Sequence, residues 1–553
     1  MISLTISIFL VDDKLQSSSL TTLFLLLASL PVFFFLFNPI LRWLIQHHLL
    51  KFSSSSSSHY GPPTYPLIGC LISFYKNRYR LLDWYTGLLS ESPTHTIIVH
   101  RFGAPRNIIT ANPKNVEYIL KTNFNNFPKG KPFREILGDF LGCGIFNVDG
   151  DLWCTQRKLA SHEFTNKCLK NYISNTLEKE VKKRLLPILE LSSNYKVLDL
   201  QDLLRRFAFD TICKFSIGLD PGCLDPSLPI SPLEKSFDLA SEISAKRATA
   251  PLFVIWKIKR ALRVGSEKQL SEAIKHVHES VSNIIRSKRL MKKQLNNNEG
   301  EVDNEMRDLD LLTRLILDGH DEKMILDMVI SFMMAGRDST SAAMTWLFWL
   351  LSKHPNVERE LMKEVNKFDE KLLDYEVLKE MIFLKACILE SMRLYPPVAW
   401  DSKHAVNHDV LPDGTTIRKG DRVTYFPYGM GRMEKLWGKN RFEFRPDRWL
   451  LVNEMPDSNP NPNPNPNKEF VNHEEEYLKN VCPYKYPVFQ AGPRMCLGKE
   501  MAFIQMKYVV ASVLRRFKVK PVSLEEPVFV PFLTAQMAGG FRVRVQPRER
   551  KWN

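Results

Sequence analysis

The 553-residue chain has no C-x-x-C pair, no internal repeat of domain size and no nucleic-acid-binding motif. Its nine cysteines (Cys70, Cys143, Cys154, Cys168, Cys213, Cys223, Cys387, Cys482 and Cys496) are scattered and odd in number. That excludes a zinc site of ordinary spacing and a secreted disulfide framework, and it points to a reduced, cytosol-facing compartment. Acidic residues are the deficit: 61 Asp and Glu stand against 76 Lys and Arg, for a net charge of +15. Such a chain needs an acidic partner or a membrane surface to use its charge. The basic residues are spread along the sequence, which argues against nucleic acid. Beyond the first fifty residues there is no long apolar run, so a multi-span membrane protein is excluded. At 44% hydrophobic and 25% charged residues, a mostly disordered chain is excluded too.

What is present begins at the N-terminus. Leu20 to Phe37 is mostly Leu and Phe and carries no charge, which is roughly the 18 apolar residues a single crossing helix needs. A cleaved signal peptide is the alternative, but its apolar core is usually shorter and a small-residue cleavage site follows it. Here Asn38-Pro39 and a second apolar stretch to Leu50 follow. Asp12 and Asp13 precede the run, whereas Arg42, Lys51, Lys76, Arg78 and Arg80 come after it, so the bulk of the chain is expected to face the cytosol. The expected organisation is a luminal segment 1–19, an anchor 20–50, a Ser/Pro linker and hinge 51–66, and a globular domain 67–553. The Asn-Pro alternation within 457–468 can form neither helix nor sheet and is expected to be a disordered surface loop.

Helical periodicity dominates from about 150 to 395. Glu322 to Ser352 is apolar on most faces and reads as a buried helix ended by His354-Pro355. Strand-like patterns occur at Arg422–Tyr425, Arg516–Val522 and Phe541–Val545. The expected class is mainly α with a minor β portion.

The decisive stretch is Phe489-Gln490-Ala491-Gly492-Pro493-Arg494-Met495-Cys496-Leu497-Gly498. A lone cysteine is usually a small buried hydrophobe. This one lies between two glycines that permit a tight backbone, with Arg494 two residues away and a helical pattern just after it. Backbone N–H groups and a helix N-terminus stabilise a thiolate, the form a soft axial metal ligand takes.

The pattern F-x-x-G-x-R-x-C-x-G resembles the haem-binding loop of the cytochrome P-450 monooxygenases, with every fixed position filled. The resemblance implies a fold that holds haem b between a long buried helix and the cysteine loop. It makes Cys496 the axial thiolate on the iron, whose electron donation favours O–O cleavage. Arg494 would meet a haem propionate and Phe489 would pack near the sulfur, with Gly492 and Gly498 shaping the loop. Glu390-Ser391-Met392-Arg393 is similar to the family's E-x-x-R helix, although such pairs are common on helix surfaces. Phe444-Arg445-Pro446-Asp447-Arg448-Trp449 resembles the segment that adds a second arginine, so Glu390, Arg393 and Arg448 are expected to form a buried structural triad. Trp153 and Arg157 match the family's W-x-x-x-R, and His404 stands where the family often places a further propionate donor. A core Trp, a surface Arg and a satisfied His are the plain alternatives.

Ala335-Gly336-Arg337-Asp338-Ser339-Thr340 lies inside the long helix. Alone, it could be a kink with back-bonded hydroxyls. By resemblance it is the oxygen groove: Ala335 and Gly336 make room for O2, and Asp338 with Ser339 or Thr340 delivers protons. The family's usual threonine after the acid is Ser339 here. Serine keeps the hydroxyl but loses the methyl that stiffens the rotamer, so coupling of oxygen use to product is expected to loosen.

Finer texture narrows the resemblance. Ser341 to Trp346, Asp401-Ser402-Lys403-His404 and Tyr425 to Arg432 look like the plant branch that hydroxylates fatty acids at or near the chain end. Phe127 to Phe133 and Gly142 to Asn147 look most like its jasmonate-conjugate hydroxylases, which oxidise jasmonoyl-isoleucine at carbon 12. The alternatives are fatty-acid ω-hydroxylation, sterol side-chain (C-26) hydroxylation and, in another class, a non-catalytic membrane-anchored haem binder. A haem-thiolate isomerase or dehydratase tends to lose the acid–alcohol motif, which is present here.

No flavin or nicotinamide fingerprint is evident, so the family's NADPH-cytochrome reductase is the implied electron donor. Its docking face is acidic, and Lys499, Lys507, Arg515, Arg516 and Lys518, with Arg157 and Lys158, are candidate counterparts; a solvated basic helix is the alternative. The resemblance places the protein in the endoplasmic reticulum membrane as a single-pass protein, its catalytic domain cytosolic and the lipid bilayer a partner. Substrate-pocket candidates by family position are Phe127, Phe133, Ile136, Met334, Val398, Ala399, Trp400, Leu533 and Thr534. Lys129, Lys131 and Arg134 are either cations for a substrate carboxylate or surface charges.

Overall fold

The computed structural model describes residues 60–193, 196–225, 231–250, 252–295, 310–368, 373–451 and 477–548. The chain divides into two units. One comprises 1–59 and 63–69, of which the described part is a turn bridged between Tyr65 and Gly69. The other, 60–62 with 70–553, carries everything discussed below. The expected anchor over 20–50 and the Asn-Pro loop lie outside the described residues. Among the described residues, no helix is long and apolar enough to cross a membrane.

The second unit is mainly helical. Its longer helices are α1 (Leu81–Glu91), α2 (Gly130–Leu141), α3 (Gly150–Ser161), α4 (Leu200–Ile217), α5 (Pro232–Thr249), α6 (Phe253–Leu262), α7 (Ser266–Leu295), α8 (Glu322–Lys353), α9 (Pro355–Val365), α10 (Ile382–Leu394) and α11 (Lys499–Arg516). The caps follow local chemistry. The Asp321 carboxylate accepts from the N–H groups of Lys323 and Met324 at 3.0 and 3.3 Å and opens α8. Pro355 cannot continue α8 past His354 and instead stands at the start of α9, where its missing N–H costs nothing. Asp199 caps α4 in the same way, and Gly218 closes it in the left-handed region at φ 62°.

The strands are β1 (Thr96–Val99), β2 (Asn107–Thr110), β3 (Leu198–Asp199), β4 (Asp401–His404), β5 (Asp409–Val410), β6 (Thr416–Ile417), β7 (Arg422–Tyr425), β8 (Phe517–Pro521), β9 (Phe529–Pro531), β10 (Ala535–Met537) and β11 (Arg542–Pro547). The main sheet runs β1-β2-β7-β4, with β2 and β7 parallel and the other pairs antiparallel. A second sheet runs β3-β11-β8, and β5 with β6 and β9 with β10 form hairpin-like pairs.

Three cores matter for the site. The N-terminal half of α8, from Ile325 to Met333, packs into a cluster with α2, α4, α5 and α7. Its C-terminal half, Ala343 to Leu351, packs into another cluster with α4, α10 and α11. Between them Ala335 is exposed and Met334, Gly336 and Ser339 are only half-buried. A helix buried at both ends thus opens in its middle. The third cluster covers the main sheet with α1 and contains Tyr425 and Ala491.

Candidate active site

The cysteine loop is built by backbone constraints. The Cys496 N–H donates to the Phe489 carbonyl at 2.8 Å and that of Met495 to Gly492 at 3.0 Å. Gln490 holds φ 61°, an uncommon conformation for a residue with a side chain, and its Oε1 accepts from the Tyr425 hydroxyl. Gly492 has φ 65°, and a Cβ there would collide with the Leu120 carbonyl oxygen, so only glycine fits. Gly498 caps α11, which places Cys496 just ahead of that helix's positive end.

The structure brings α3 onto this loop. Arg157 Nη2 donates to the Met495 carbonyl at 2.8 Å. Arg494 donates to the Val148 carbonyl and to Asp149 Oδ1, each at 2.8 Å, and lies 4.5 Å above the Trp153 ring. Trp153, Arg157 and Arg494 therefore meet beside Cys496, while the Phe489 ring packs 5.1 Å from Phe503. Asp149 was invisible to motif reading, since no family pattern in the sequence points at it.

Cys496 is exposed, yet enough protein surrounds it that burial pushes its thiol above the ordinary value; the Gly498 N–H and the charges of Arg157 and Lys499 oppose that shift without overcoming it. A metal ion bound to the sulfur would favour the thiolate outright.

On α8, Ser339 Oγ donates to the Ala335 carbonyl and Thr340 Oγ1 to that of Gly336, each at 2.7 Å. Both hydroxyls are back-bonded, and the helix stays α throughout. They differ in setting: Ser339 shares the open stretch with Ala335, whereas Thr340 is buried. Gly336 packs so closely on α4 that a Cβ would strike Ile212. The Asp338 carboxylate is buried, 3.3 Å from Arg337 Nε.

A buried charge cluster lies on β4. Asp401 receives Lys129 Nζ at 2.6 Å, Lys403 Nζ at 3.2 Å and the Tyr425 hydroxyl at 2.8 Å. Burial opposes ionisation of Asp401, but Lys129 and Lys403 hold its carboxyl well below the usual range. Burial lowers Lys403 to about 7 against the pull of Asp401, with Lys129 and Arg494 adding to the fall. Lys129 is thus neither a surface charge nor a free anchor for a substrate carboxylate: it is buried and paired. Lys131 and Arg134 are exposed. His404 Nδ1 donates to the Lys129 carbonyl at 2.7 Å, and burial lowers its pKa to about 4. The neutral ring then leaves Nε2 as an acceptor, so donating to a propionate requires the ring to gain a proton.

Glu390 receives Arg393 through two bonds of 2.8 Å, Arg448 Nε at 2.8 Å, Trp449 Nε1 at 2.9 Å and the Arg445 N–H at 3.0 Å, five donors inside the protein. Trp449 is a fourth member that the charge pattern could not signal.

The pocket candidates separate into two groups. Phe133, Ile136, Met334 and Leu533 pack on the same cluster as Leu497, next to Cys496. Phe127, Ala399 and Trp400 pack in the sheet core instead, Phe127 being 1% exposed. Thr534 is buried and Val398 half-buried. The basic docking set is also corrected. Lys507 is buried and donates to the Leu378 carbonyl at 2.7 Å, and Arg515 Nη2 donates to the Val365 and Phe368 carbonyls at 2.5 and 2.7 Å. Their charges serve the α11 packing, whereas Lys158 and Lys518 are exposed.

The residues present fit a haem. An exposed thiol stands with two guanidiniums and an indole, a soft ligand for iron and cations for propionates. A family model described as Cytochrome P450 matches residues 60–538. The chain is 56% identical to Cytochrome P450 94B1 of Arabidopsis thaliana over 90% of this chain and 93% of that protein. It is 54% identical to Cytochrome P450 94B3 of the same plant over 92% and 97%. With Cytochrome P450 94A1 of Vicia sativa the identity is 45% over 88% and 91%.

Proposed function

This chain belongs to the cytochrome P450 family, and on that premise we propose that it hydroxylates a long-chain or carboxylate-bearing lipid at or near its chain end, with jasmonoyl-isoleucine oxidised at carbon 12 as the first substrate to test. It is a haem-thiolate monooxygenase that takes electrons from NADPH through a reductase. Bound haem supplies oxygen activation and the insertion of one oxygen atom into a C–H bond, the other leaving as water.

The observation that carries the reading is the meeting of Trp153, Arg157 and Arg494 around the exposed Cys496. In this reading Cys496 ligates the iron, Arg157 and Arg494 neutralise propionates, and His404 joins them once protonated. Phe133, Ile136, Met334 and Leu533 orient the lipid and exclude water. Asp338 holds a proton for the Ser339 side of α8, where the hydroxyl can turn from the Ala335 carbonyl towards the open stretch. Glu390, Arg393 and Arg448 hold the scaffold behind the loop.

The bilayer enters the reading at two places. The segment 20–50 serves as anchor, leaving 1–19 luminal and the catalytic domain cytosolic at the endoplasmic reticulum. On α6, Val254, Ile255, Ile258 and Leu262 are exposed apolar side chains, a face suited to a lipid surface, while Lys257 and Arg260 beside them pair with Glu135 and Asp139 of α2.

A competition assay tests the substrate. Membranes carrying the protein and a plant reductase receive NADPH with equal jasmonoyl-isoleucine, a mid-chain fatty acid and a hydroxylated sterol, and products are resolved by mass spectrometry. Preferential 12-hydroxylation of the conjugate supports the reading. Preference for the fatty acid or the sterol replaces the substrate and keeps the chemistry. NADPH consumption with no product from any of them would leave a haem binder.

A further inference from the structure

Gln490, just ahead of Cys496 in the loop, holds φ 61° and ψ −178°. That region of backbone space is open essentially to glycine alone, and a residue with a Cβ stays there only where its surroundings hold it. Here the hold is on its side chain. Gln490 Oε1 meets the hydroxyl of Tyr425, the last residue of β7. The same hydroxyl meets Asp401 Oδ2 at 2.8 Å, so its one proton is shared between two acceptors in a three-centre bond. Tyr425 and Asp401 are register partners on β7 and β4. Tyr425 is 0% exposed, and burial together with the charge of Asp401 keeps its phenol protonated. Asp401 is fixed in turn by Lys129, Lys403 and the Ser402 N–H. The main sheet thus reaches the cysteine loop through one buried side chain.

The point of contact on the loop is the peptide between Phe489 and Gln490. Its carbonyl accepts the Cys496 N–H at 2.8 Å, and its N–H donates to the Pro487 carbonyl at 3.1 Å. The φ of Gln490 is the torsion that orients this peptide. Relaxation of Gln490 to the negative φ that residues with a Cβ prefer would turn the peptide and take its carbonyl away from Cys496.

We propose that Tyr425 is a positioning residue for Cys496: its hydroxyl ties down the Gln490 side chain, which keeps Gln490 in a glycine-type conformation and the Phe489 carbonyl on the Cys496 N–H. The proposal rests on the reading of Cys496 as the haem ligand. No covalent bond is made or broken. A glycine at position 490 needs no tie, because it adopts this backbone freely. Tyr425 therefore acts on the loop only while a residue with a side chain stands at 490.

The test uses the full-length holoprotein and the variants Tyr425→Phe, Gln490→Ala and Gln490→Gly, with Tyr425→Phe also made in the Gln490→Gly background. Loss of the thiolate-type spectrum of the reduced, CO-bound protein is timed in mild denaturant, beside the reduction potential and the global unfolding stability. Tyr425→Phe should lose that spectrum about fivefold faster than the parent, the worth of one hydrogen bond, with its potential shifted. Gln490→Ala keeps a Cβ without the tie and should match it, whereas Gln490→Gly should hold the spectrum as the parent does. In the Gln490→Gly background Tyr425→Phe should change neither the rate nor the potential, although it lowers unfolding stability in both backgrounds because Asp401 loses a donor. A parental rate in Tyr425→Phe overturns the proposal, and so does an equal acceleration by Tyr425→Phe in both backgrounds. Where Tyr425→Phe does not load haem, Gln490→Ala against Gln490→Gly decides, and equal rates in those two overturn the proposal. Cys496→Ala tests the reading beneath it separately: a thiolate-type spectrum retained in that variant overturns the ligand assignment and the proposal with it.

Discussion

Cys496 and His404 show how the same burial acts on two groups of opposite charge type. Around Cys496, burial raises the thiol, and the Gly498 N–H, Arg157 and Lys499 oppose that rise. Cys496→Ala should abolish the thiolate-type spectrum of the reduced, CO-bound protein, and a retained spectrum would assign the ligand elsewhere. Around His404, burial lowers the pKa to about 4 from an ordinary 6.5. Between those values the unfolded chain binds a proton that the folded protein does not. Stability from this group is therefore present above pH 6.5 and lost as pH falls to about 4, by roughly 3 kcal/mol at most. Unfolding curves across that window should show His404→Gln losing less stability on acidification than the parent. An equal loss in both would mean that a propionate already keeps His404 protonated.

At the scale of elements, α10 and the segment around Arg448 are joined through one buried carboxylate. Glu390, 0% exposed, accepts from two arginines and an indole. A buried charge is tolerable only with its partners in place, and removing one costs about 3–5 kcal/mol. Arg448→Ala should lower unfolding stability by that order and reduce haem retention, measured by denaturant unfolding of the holoprotein. A change under about 1 kcal/mol would mean that Arg393 and Trp449 suffice for Glu390. Helix α8 uses its two halves differently, each packing into its own core, with Met334, Ala335, Gly336 and Ser339 less buried between them. The helix thus serves as scaffold and site wall at once.

At the scale of the whole molecule, charge and apolar surface divide the work. The excess of basic residues is not a single docking patch, since Lys507 and Arg515 point inward to backbone carbonyls. What α6 offers is an exposed apolar stripe, Val254, Ile255, Ile258 and Leu262, its neighbours Lys257 and Arg260 being paired with Glu135 and Asp139. A chain shortened by residues 1–50 should still bind vesicles of anionic phospholipid at low salt, and Ile258→Asp with Leu262→Asp should release most of it, measured by flotation. Full retention of that double variant would remove α6 from the membrane reading.

Much of the site could be read locally. The ten residues around Cys496, the i, i+4 pair Trp153 and Arg157, the Glu390 and Arg393 turn and the 335–340 stretch each carry their signal within one turn or loop, because the spacing of residues on a helix or tight loop is set by backbone geometry alone. The long helix ended within one residue of its expected limit because Pro355 is a local stop. Lys129 was misjudged because its partner, Asp401, lies far along the chain and only the sheet brings it near. Asp149 beside Arg494, Trp449 on Glu390 and Asp238 on Arg337 were silent for the same reason. Family, helical class and the pattern of the cysteine loop are legible in residue order, since they rest on residue type at short spacing. Tertiary structure alone decided which charges are buried and what each is paired with, because desolvation and pairing depend on neighbours that the folded chain brings together from remote segments.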